Sequence, residues 1–350
     1  MVAVVVYHVS LTALTTIANG GAYDAHFWGL LSTWLLPVRI PLFFLVSGVL
    51  AKHALERPWR RITRPRILDH IWTFWLWTVS VAALYAWAYA PQAFGEFTLR
   101  ALTWTVTFGG FYWYLPLLIL FFVTAKCLRR LPVLVIGGSM LLYFFAPDLP
   151  RDVGHPVGND AMLLVIRYCQ FLIWFAIGAF LRPLVERWAK VTAPGMIVAG
   201  LLYVPIAALH YSGEELQLPS LLSGLGLARA HLTPVLSVLG ITVALGLSRV
   251  LSRLEMVRRL GSYLAERTLP IYLVHPLVVT LLVLAVPPLE PLSAVTTAVL
   301  APMLVAALVA LSTSTYDRSR NVVPWLYKLP GSPGREKAAV GGSQCDHQAE

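Results

Sequence analysis

Four ionisable side chains stand inside long apolar runs of this sequence, where a charge or an unpaired hydrogen-bonding group is costly. They are His8 in "VVVYHVS", Arg39 in "LLPVRIPLFF", Arg167 in "LLVIRYCQFL" and His275 in "LPIYLVHPLVV". A neutral imidazole titrates near neutral pH and can take the proton of a hydroxyl group as a general base. A guanidinium stays charged and binds anions or carbonyl oxygens. Together these residue types predict proton transfer beside a fixed positive charge.

Each of the four side chains also has a purely structural interpretation. Either histidine is explained by hydrogen bonds to a neighbouring helix, and Arg39 by a clamp on the carbonyl groups of another helix. Arg167 lies about a turn and a half inside its run, so its side chain can also reach the membrane surface. We favour function for Arg39, which lies mid-run, while Pro276 after His275 predicts an irregular helix of the kind that lines cavities.

A dense basic cluster follows the second apolar run. Six Lys or Arg side chains occupy the fifteen positions from Lys52 to Arg66, more than a membrane anchor needs. Arginine binds phosphate oxygens through paired N–H groups, so the cluster predicts capture of a phosphorylated ligand. Contact with anionic lipid headgroups is the alternative. The arginines of this cluster are Arg57, Arg60, Arg61, Arg64 and Arg66.

The composition indicates an integral membrane protein, whose transmembrane helices would hold these residues in place. The 350 residues are 58% hydrophobic and 13% charged, whereas soluble domains have roughly 25% charged residues. A helix needs about 20 apolar residues to cross the hydrocarbon core. We therefore predict an all-α polytopic membrane protein with about ten transmembrane helices over residues 1–315, and a disordered polar tail over residues 316–350. The predicted spans are about 2–17, 28–51, 67–90, 109–125, 131–146, 162–181, 192–210, 233–251, 268–286 and 292–313.

The positions of the positive charges predict that both termini lie in the cytoplasm. With ten alternating spans and the N-terminus inside, 22 of the 27 Lys and Arg residues fall in cytoplasmic segments, three in outside loops and two within spans. This asymmetry accounts for the net charge of +10 without a nucleic-acid partner. The expected location is a bacterial inner membrane or plasma membrane.

Several function classes lack their usual residues. No Asp or Glu lies clearly inside a predicted span, which disfavours a proton-driven pump and a paired-carboxylate hydrolase. The chain has no Walker-type glycine loop. The three cysteines, Cys127, Cys169 and Cys345, have neither disulfide-framework nor metal-site spacing, so we expect no metal. A transporter or flippase for a lipid-linked glycan remains the alternative to an enzyme.

Five segments, taken in order, resemble the acyltransferase-3 family of integral membrane acyltransferases, in particular its fucose 4-O-acetylase-like branch. Each segment alone is weak evidence, but their order on a ten-span chain is specific. They are "VVVYHVS", "RIPLFFLVSGVLAK", "RRITRPRIL", "FYWYLPLLIL" and "LGSYLAERTLPIYLVHPLVV". The resemblance implies transfer of an acyl group, usually acetyl, from cytoplasmic acyl-CoA to a hydroxyl of a sugar, a lipid-linked glycan or another metabolite. It implies that His8 is the base and that Arg61 and Arg64 form the family's Arg-x-x-Arg pair.

The chain departs from the family pattern at two places. The family has an arginine about ten residues before the histidine of its first helix, whereas none of the seven residues before His8 is basic. The first predicted span is also only about 24 Å long, short of the roughly 30 Å core. We therefore expect the natural chain to begin upstream of Met1. In addition, "LDHIW" (Asp69 and His70) stands where the family has a proline near the start of its third helix.

The resemblance and the residues together predict a mechanism. His8 deprotonates the acceptor hydroxyl, which attacks the thioester carbonyl directly, and no tightly bound cofactor is expected. We expect Arg39 to stabilise the developing oxyanion or to place the acceptor. The binding residues expected besides the basic cluster are Trp113, Tyr114, Arg167, Tyr272 and His275. For the aromatic residues among them, membrane-interface or core packing is an equal alternative.

Overall fold

A computed structural model describes residues 1–10, 27–89, 103–154, 156–211, 232–286 and 294–331, and within these ranges every regular element is helical. Seven helical segments are long and apolar enough to cross a membrane. These segments are Leu36–Glu56, Trp59–Leu84, Gly158–Phe180, Ala193–Tyr211, Thr233–Leu251, Thr268–Ala285 and Ala298–Ser319. The helices are α1 Val2–His8, α2 Phe27–Trp34, α3 Leu36–Glu56, α4 Trp59–Thr63, α5 Asp69–Tyr89, α6 Tyr114–Cys127, α7 Pro132–Phe145, α8 Pro156–Phe180, α9 Arg182–Trp188, α10 Ala193–Tyr211, α11 Thr233–Leu251, α12 Glu255–Glu266, α13 Thr268–Ala285 and α14 Ala294–Ser319.

The helix lengths refine the predicted spans. The helices α6 and α7 have 14 residues each, or about 21 Å at 1.5 Å per residue, which is shorter than the hydrocarbon core. The predicted span 109–125 begins late because Phe108 and Gly110 have φ values of 55° and 73°, which helices do not allow. The first predicted span continues beyond the described residues after position 10. The count of ten spans and the cytoplasmic termini stay predictions.

The helices α3 and α8 cross at two glycines and form the centre of the fold. A Cβ atom on Gly48 would overlap the main-chain oxygen of Phe175, and one on Gly178 would overlap that of Leu45. Hydrogen in place of a side chain thus lets the two backbones touch, as small residues do between membrane helices. Phe44 and Phe175 are fully buried in the core around this crossing.

We expect Gly48→Ala to lower the unfolding temperature of the detergent-purified protein, because the added methyl group forces the two helices apart. Overpacking of this kind costs about 1–3 kcal/mol. The matched control is Gly138→Ala in α7, where nothing lies within 4 Å of the added Cβ. There the higher helix propensity of alanine should leave the unfolding temperature unchanged or raise it. Equal unfolding temperatures for Gly48→Ala and the unsubstituted protein would contradict a backbone contact at this crossing.

The chain after α14 packs back on α5. The indole N–H groups of Trp72 and Trp77 donate to the main-chain oxygens of Trp325 and Leu326, at 2.7 and 2.8 Å. Part of the polar tail, predicted to be disordered from residue 316, therefore has a defined position. Residues 316–319 belong to α14, and the segment 320–331 contacts α5 through residues 325 and 326. Residues 332–350 lie outside the described ranges.

Candidate active site

Two of the predicted site residues, His8 and His275, meet inside the helical assembly. His8 is the last residue of α1 and His275 lies in the middle of α13. Their ring centroids are 5.1 Å apart, and the His275 side chain is fully buried. The Phe111 ring lies 6.5 Å from the His8 ring. The two histidines, considered separately in the sequence, thus form a single imidazole pair.

The main chain of α13 defines the hydrogen position on His275. Its Nδ1 lies 2.8 Å from the main-chain oxygen of Ile271, one turn earlier. Because a carbonyl oxygen only accepts, Nδ1 carries the hydrogen and Nε2 of the neutral ring has a lone pair. Nε2 is buried and has no hydrogen-bond partner among the described residues. An unpaired buried acceptor costs about 1–3 kcal/mol, which marks this atom as a place for a proton donor.

Two tyrosine hydroxyls attach the segment 111–114 to α13. Tyr272 accepts a hydrogen bond from the Tyr114 amide at 3.3 Å and donates one to the Phe111 carbonyl at 3.2 Å. Tyr112 donates to the carbonyl of Leu273 at 2.8 Å. The left-handed turn at residues 108–110 allows this approach, and Phe111 is thereby held beside His8. Tyr114 and Tyr272, predicted to line a pocket, pack edge to face with centroids 5.8 Å apart.

Arg39 and Arg167 are each stacked on an aromatic ring. Arg39, predicted to lie mid-run, is in the first turn of α3, because the run is divided at Leu35 into α2 and α3, whereas Arg167 is in the middle of α8. The Arg39 guanidinium lies 3.9 Å from the ring centroid of Tyr7, whose own centroid is 5.2 Å from that of His8. The Arg167 guanidinium lies 4.3 Å from the Trp113 ring. Arg39 is therefore near the imidazole pair through one intervening ring. Stacking of this kind holds a guanidinium in place without removing its charge.

Ser47, in α3, connects a cavity with the tyrosines. Its hydroxyl lies 2.7 Å from the hydroxyl of Tyr114 and donates to the carbonyl of Phe43 at 2.8 Å. The cavity, of about 80 Å³, has Arg66 and Ser47 in its wall. Side-chain contacts continue from Ser47 through Tyr114 and Tyr272 to His275. The other residues that line the cavity are Leu50, Ala51, Leu118, Phe122 and Phe175.

The basic cluster occupies the join between α3 and α5. Arg57, Arg60 and Arg61 are exposed, whereas Arg64 and Arg66 are half-buried in a π-helical turn over Arg64–Leu68. Arg64 donates through Nη2 to the carbonyl of residue 330 at 2.8 Å, and its Nε is buried without a hydrogen-bond partner among the described residues. Since Arg66 lines the cavity, this cluster borders the interior as well as the surface.

Comparison with known families decides the class of this site. A family model described as an acyltransferase domain, that of the acyltransferase-3 family, matches residues 1–316. The chain belongs to the acyltransferase-3 family. Neither the curated proteins nor the solved structures give a match. The predicted family is thereby confirmed, while the fucose 4-O-acetylase-like branch stays a prediction.

As an acyltransferase-3 member, this chain is a multi-pass membrane acyltransferase, and the match favours that class over a transporter or flippase. A neutral imidazole such as those of the pair can take a proton from a hydroxyl group, which is a chemistry that acyl transfer to a hydroxyl uses. Within the described ranges, no three His, Cys, Asp or Glu side chains are grouped to hold a metal ion. The residues that sequence reasoning missed are Tyr7, Phe111 and Tyr112, and their only signal is that they lie within the segments quoted above, beside predicted site residues.

Proposed function

We propose that this acyltransferase transfers an acyl group, acetyl as the first choice, from cytoplasmic acyl-CoA to a hydroxyl of a cell-surface glycan, a glycolipid or a secreted metabolite. The observation that carries the proposal is the imidazole pair, with ring centroids 5.1 Å apart and a fully buried His275 whose Nε2 has no hydrogen-bond partner among the described residues. His8 serves as the general base and His275 as its positioning residue.

The hydrogen bond between His275 and Ile271 determines the role proposed for each ring nitrogen of His275 and His8. Nε2 of His275 accepts the N–H of His8, since Nδ1 of His275 is already committed to Ile271. The second nitrogen of His8 then has its lone pair directed to the acceptor and takes the hydroxyl proton. This is the same logic by which a third group orients the base of a catalytic triad. The His8–His275 hydrogen bond forms as the acceptor enters, because apo geometry is often loose.

The reaction then proceeds in two balanced steps without an acyl-enzyme. The acceptor oxygen bonds to the thioester carbonyl carbon as His8 takes the hydroxyl proton, which gives a tetrahedral oxyanion. Collapse of the oxyanion breaks the carbon–sulfur bond, and the CoA thiolate leaves with the proton from the His8 imidazolium. Arg39 supplies the fixed positive charge for the oxyanion from its position on Tyr7.

The donor reaches the pair from the basic cluster. The phosphates of acyl-CoA bind the exposed Arg57, Arg60 and Arg61, for which a guanidinium is the suited partner. The slender, uncharged arm of CoA then enters beside Arg66 into the cavity bounded by Ser47. The apolar walls of the cavity suit such a chain. The thioester then points toward His275, along the side-chain contacts that run from Ser47 through Tyr114 and Tyr272.

A direct test of this function uses the intact protein in proteoliposomes with [14C]acetyl-CoA and membrane extracts as the source of acceptor. Transfer of label to a glycan, lipid or metabolite, with release of one CoA per acetyl group, is expected. Mass spectrometry of that product identifies the acceptor. Label that enters no product and stays on intact acetyl-CoA with every extract would refute the donor.

For the donor site we expect the double variant Arg60→Ala/Arg61→Ala, which removes two exposed arginines of the cluster, to bind acetyl-CoA at least tenfold more weakly. The reason is the loss of charge-assisted hydrogen bonds to phosphate, each of which contributes about 1.5–3 kcal/mol. Equilibrium binding of [14C]acetyl-CoA to the purified protein measures the change. The control is Arg187→Ala, an exposed arginine in α9 on the same predicted face. If the double variant binds as tightly as the control, the cluster acts on lipids or topology only.

A further inference from the structure

The helix α12, Glu255–Glu266, is amphipathic and has no buried residue. Met256, Leu260 and Tyr263 follow helical spacing on one face, and their exposed fractions are 81%, 52% and 40%. Arg258 and Ser262 lie on the opposite side of the helix. An apolar stripe of this extent is unusual on a surface in contact with water, so the stripe requires a partner.

The two ends of α12 are held at membrane-spanning helices. Three residues separate it from α11, which ends at Leu251, and Arg267 alone separates it from α13, which begins at Thr268. Such links span only about 3.6 Å per residue. Since α11 and α13 are both long and apolar enough to cross a membrane, α12 lies at the height where the bilayer ends.

An ion pair fixes the end of α12 to the end of α14. Arg267 donates from Nε and Nη2 to the two carboxylate oxygens of Asp317, at 3.2 and 3.1 Å. The Tyr263 hydroxyl donates to the same carboxylate at 3.3 Å, and the Arg267 guanidinium stacks on the Tyr263 ring at 3.8 Å. The Arg267 side chain is only 14% exposed. A two-pronged, partly buried pair of this kind holds orientation well, so the helix is anchored and does not swing freely.

We propose that α12 lies in the headgroup layer of the bilayer, with Met256 and Leu260 among the acyl chains and the exposed Arg253, Arg258 and Arg259 at anionic lipid phosphates. Between positions 252 and 266 the chain has three arginines and two glutamates, a net charge of +1 that suits a negative surface. Arg258 and Arg259 share Glu255 in exposed ion pairs. Basic residues are attracted to such a surface, and burial of the apolar stripe adds to the attraction.

Nitroxide labels at single cysteines test this assignment without depending on enzymatic activity. Cys127, Cys169 and Cys345 are replaced by alanine, and labels are placed at position 256 or 260 on the apolar face, or at 262 on the polar face. The protein is reconstituted in phosphatidylcholine vesicles with or without phosphatidylglycerol. Collision rates with oxygen, which partitions into lipid, and with a water-soluble nickel complex then report depth. A label at the lipid-exposed Val238 of α11 calibrates the membrane interior.

We expect oxygen to be favoured at positions 256 and 260 and the nickel complex at 262, with a larger contrast when phosphatidylglycerol is present. Each labelled protein is first checked for the size-exclusion profile of the unsubstituted protein. Equal access of the nickel complex to all three positions would overturn the proposal. Dipolar broadening between labels at 256 in neighbouring molecules would also overturn it, in favour of a second copy as the occupant.

Discussion

His8→Ala is expected to reduce acyl transfer by a factor of about 10²–10⁴, the usual contribution of a general base. The His8 imidazole adjoins His275 inside the assembly, with ring centroids 5.1 Å apart, and alanine leaves no group there to take the hydroxyl proton. Initial rates of [14C]acetyl transfer in proteoliposomes measure the loss. Binding of acetyl-CoA should be unchanged, because the arginine cluster that binds the donor is untouched.

Two controls separate loss of the base from loss of the fold. His53→Ala removes an exposed histidine at the end of α3, which contacts Arg182 at 3.4 Å and has no part in the proposed chemistry. It should transfer at the rate of the unsubstituted protein. The unfolding temperature and size-exclusion profile of His8→Ala should also match. Turnover by a well-folded His8→Ala protein at more than a tenth of the normal rate would remove His8 as the base.

His275→Phe and His275→Gln are expected to give different rates, since only glutamine keeps a hydrogen-bonding group near the position of Nε2. Phenylalanine fills the buried space but has no acceptor, so kcat should fall about 10²-fold, as for the loss of one oriented polar contact in an active site. Glutamine should retain kcat within about tenfold of the unsubstituted protein. In both variants KM for acetyl-CoA should stay constant. Transfer kinetics over a range of acetyl-CoA concentrations give both quantities.

The comparison between the two variants distinguishes positioning from packing. If His275 only fills space, phenylalanine should be tolerated at least as well as glutamine, because it is the more apolar replacement in a fully buried site. Equal kcat values for the two variants would therefore refute the positioning role. A parallel rise of KM would instead place His275 in donor binding.

The general class of the fold follows from local properties of the sequence. Apolar runs of about 20 residues specify membrane helices wherever they occur, because the backbone must satisfy its own hydrogen bonds in lipid. The helix boundaries 233–251 and 268–285 of α11 and α13 agree with the predicted spans to within a residue. Where a short turn interrupts a run, as at Phe108–Gly110 before α6, apolar composition alone gave no warning. Hydropathy predicts which residues avoid water, but it does not predict the backbone angle φ that ends a helix.

The candidate site divides in the same way. The residue types at His8, Arg39 and His275 predicted general-base chemistry, since an ionisable group in an apolar run is rare enough to be informative. That the two histidines touch, that Tyr272 holds Phe111 beside them, and that Ser47 bonds to Tyr114 came only from the folded chain.

By itself the sequence therefore determined the membrane class, the acyltransferase-3 family and the identities of the ionisable residues within the apolar runs. The tertiary structure decided which of them meet. The physical reason is that contacts between distant segments depend on which helices pack together, as α3 and α8 do at Gly48 and Gly178. Close approach of two backbones depends on the surfaces of both helices. The residue spacing along one helix predicts its own surface but does not identify the helix that packs against it.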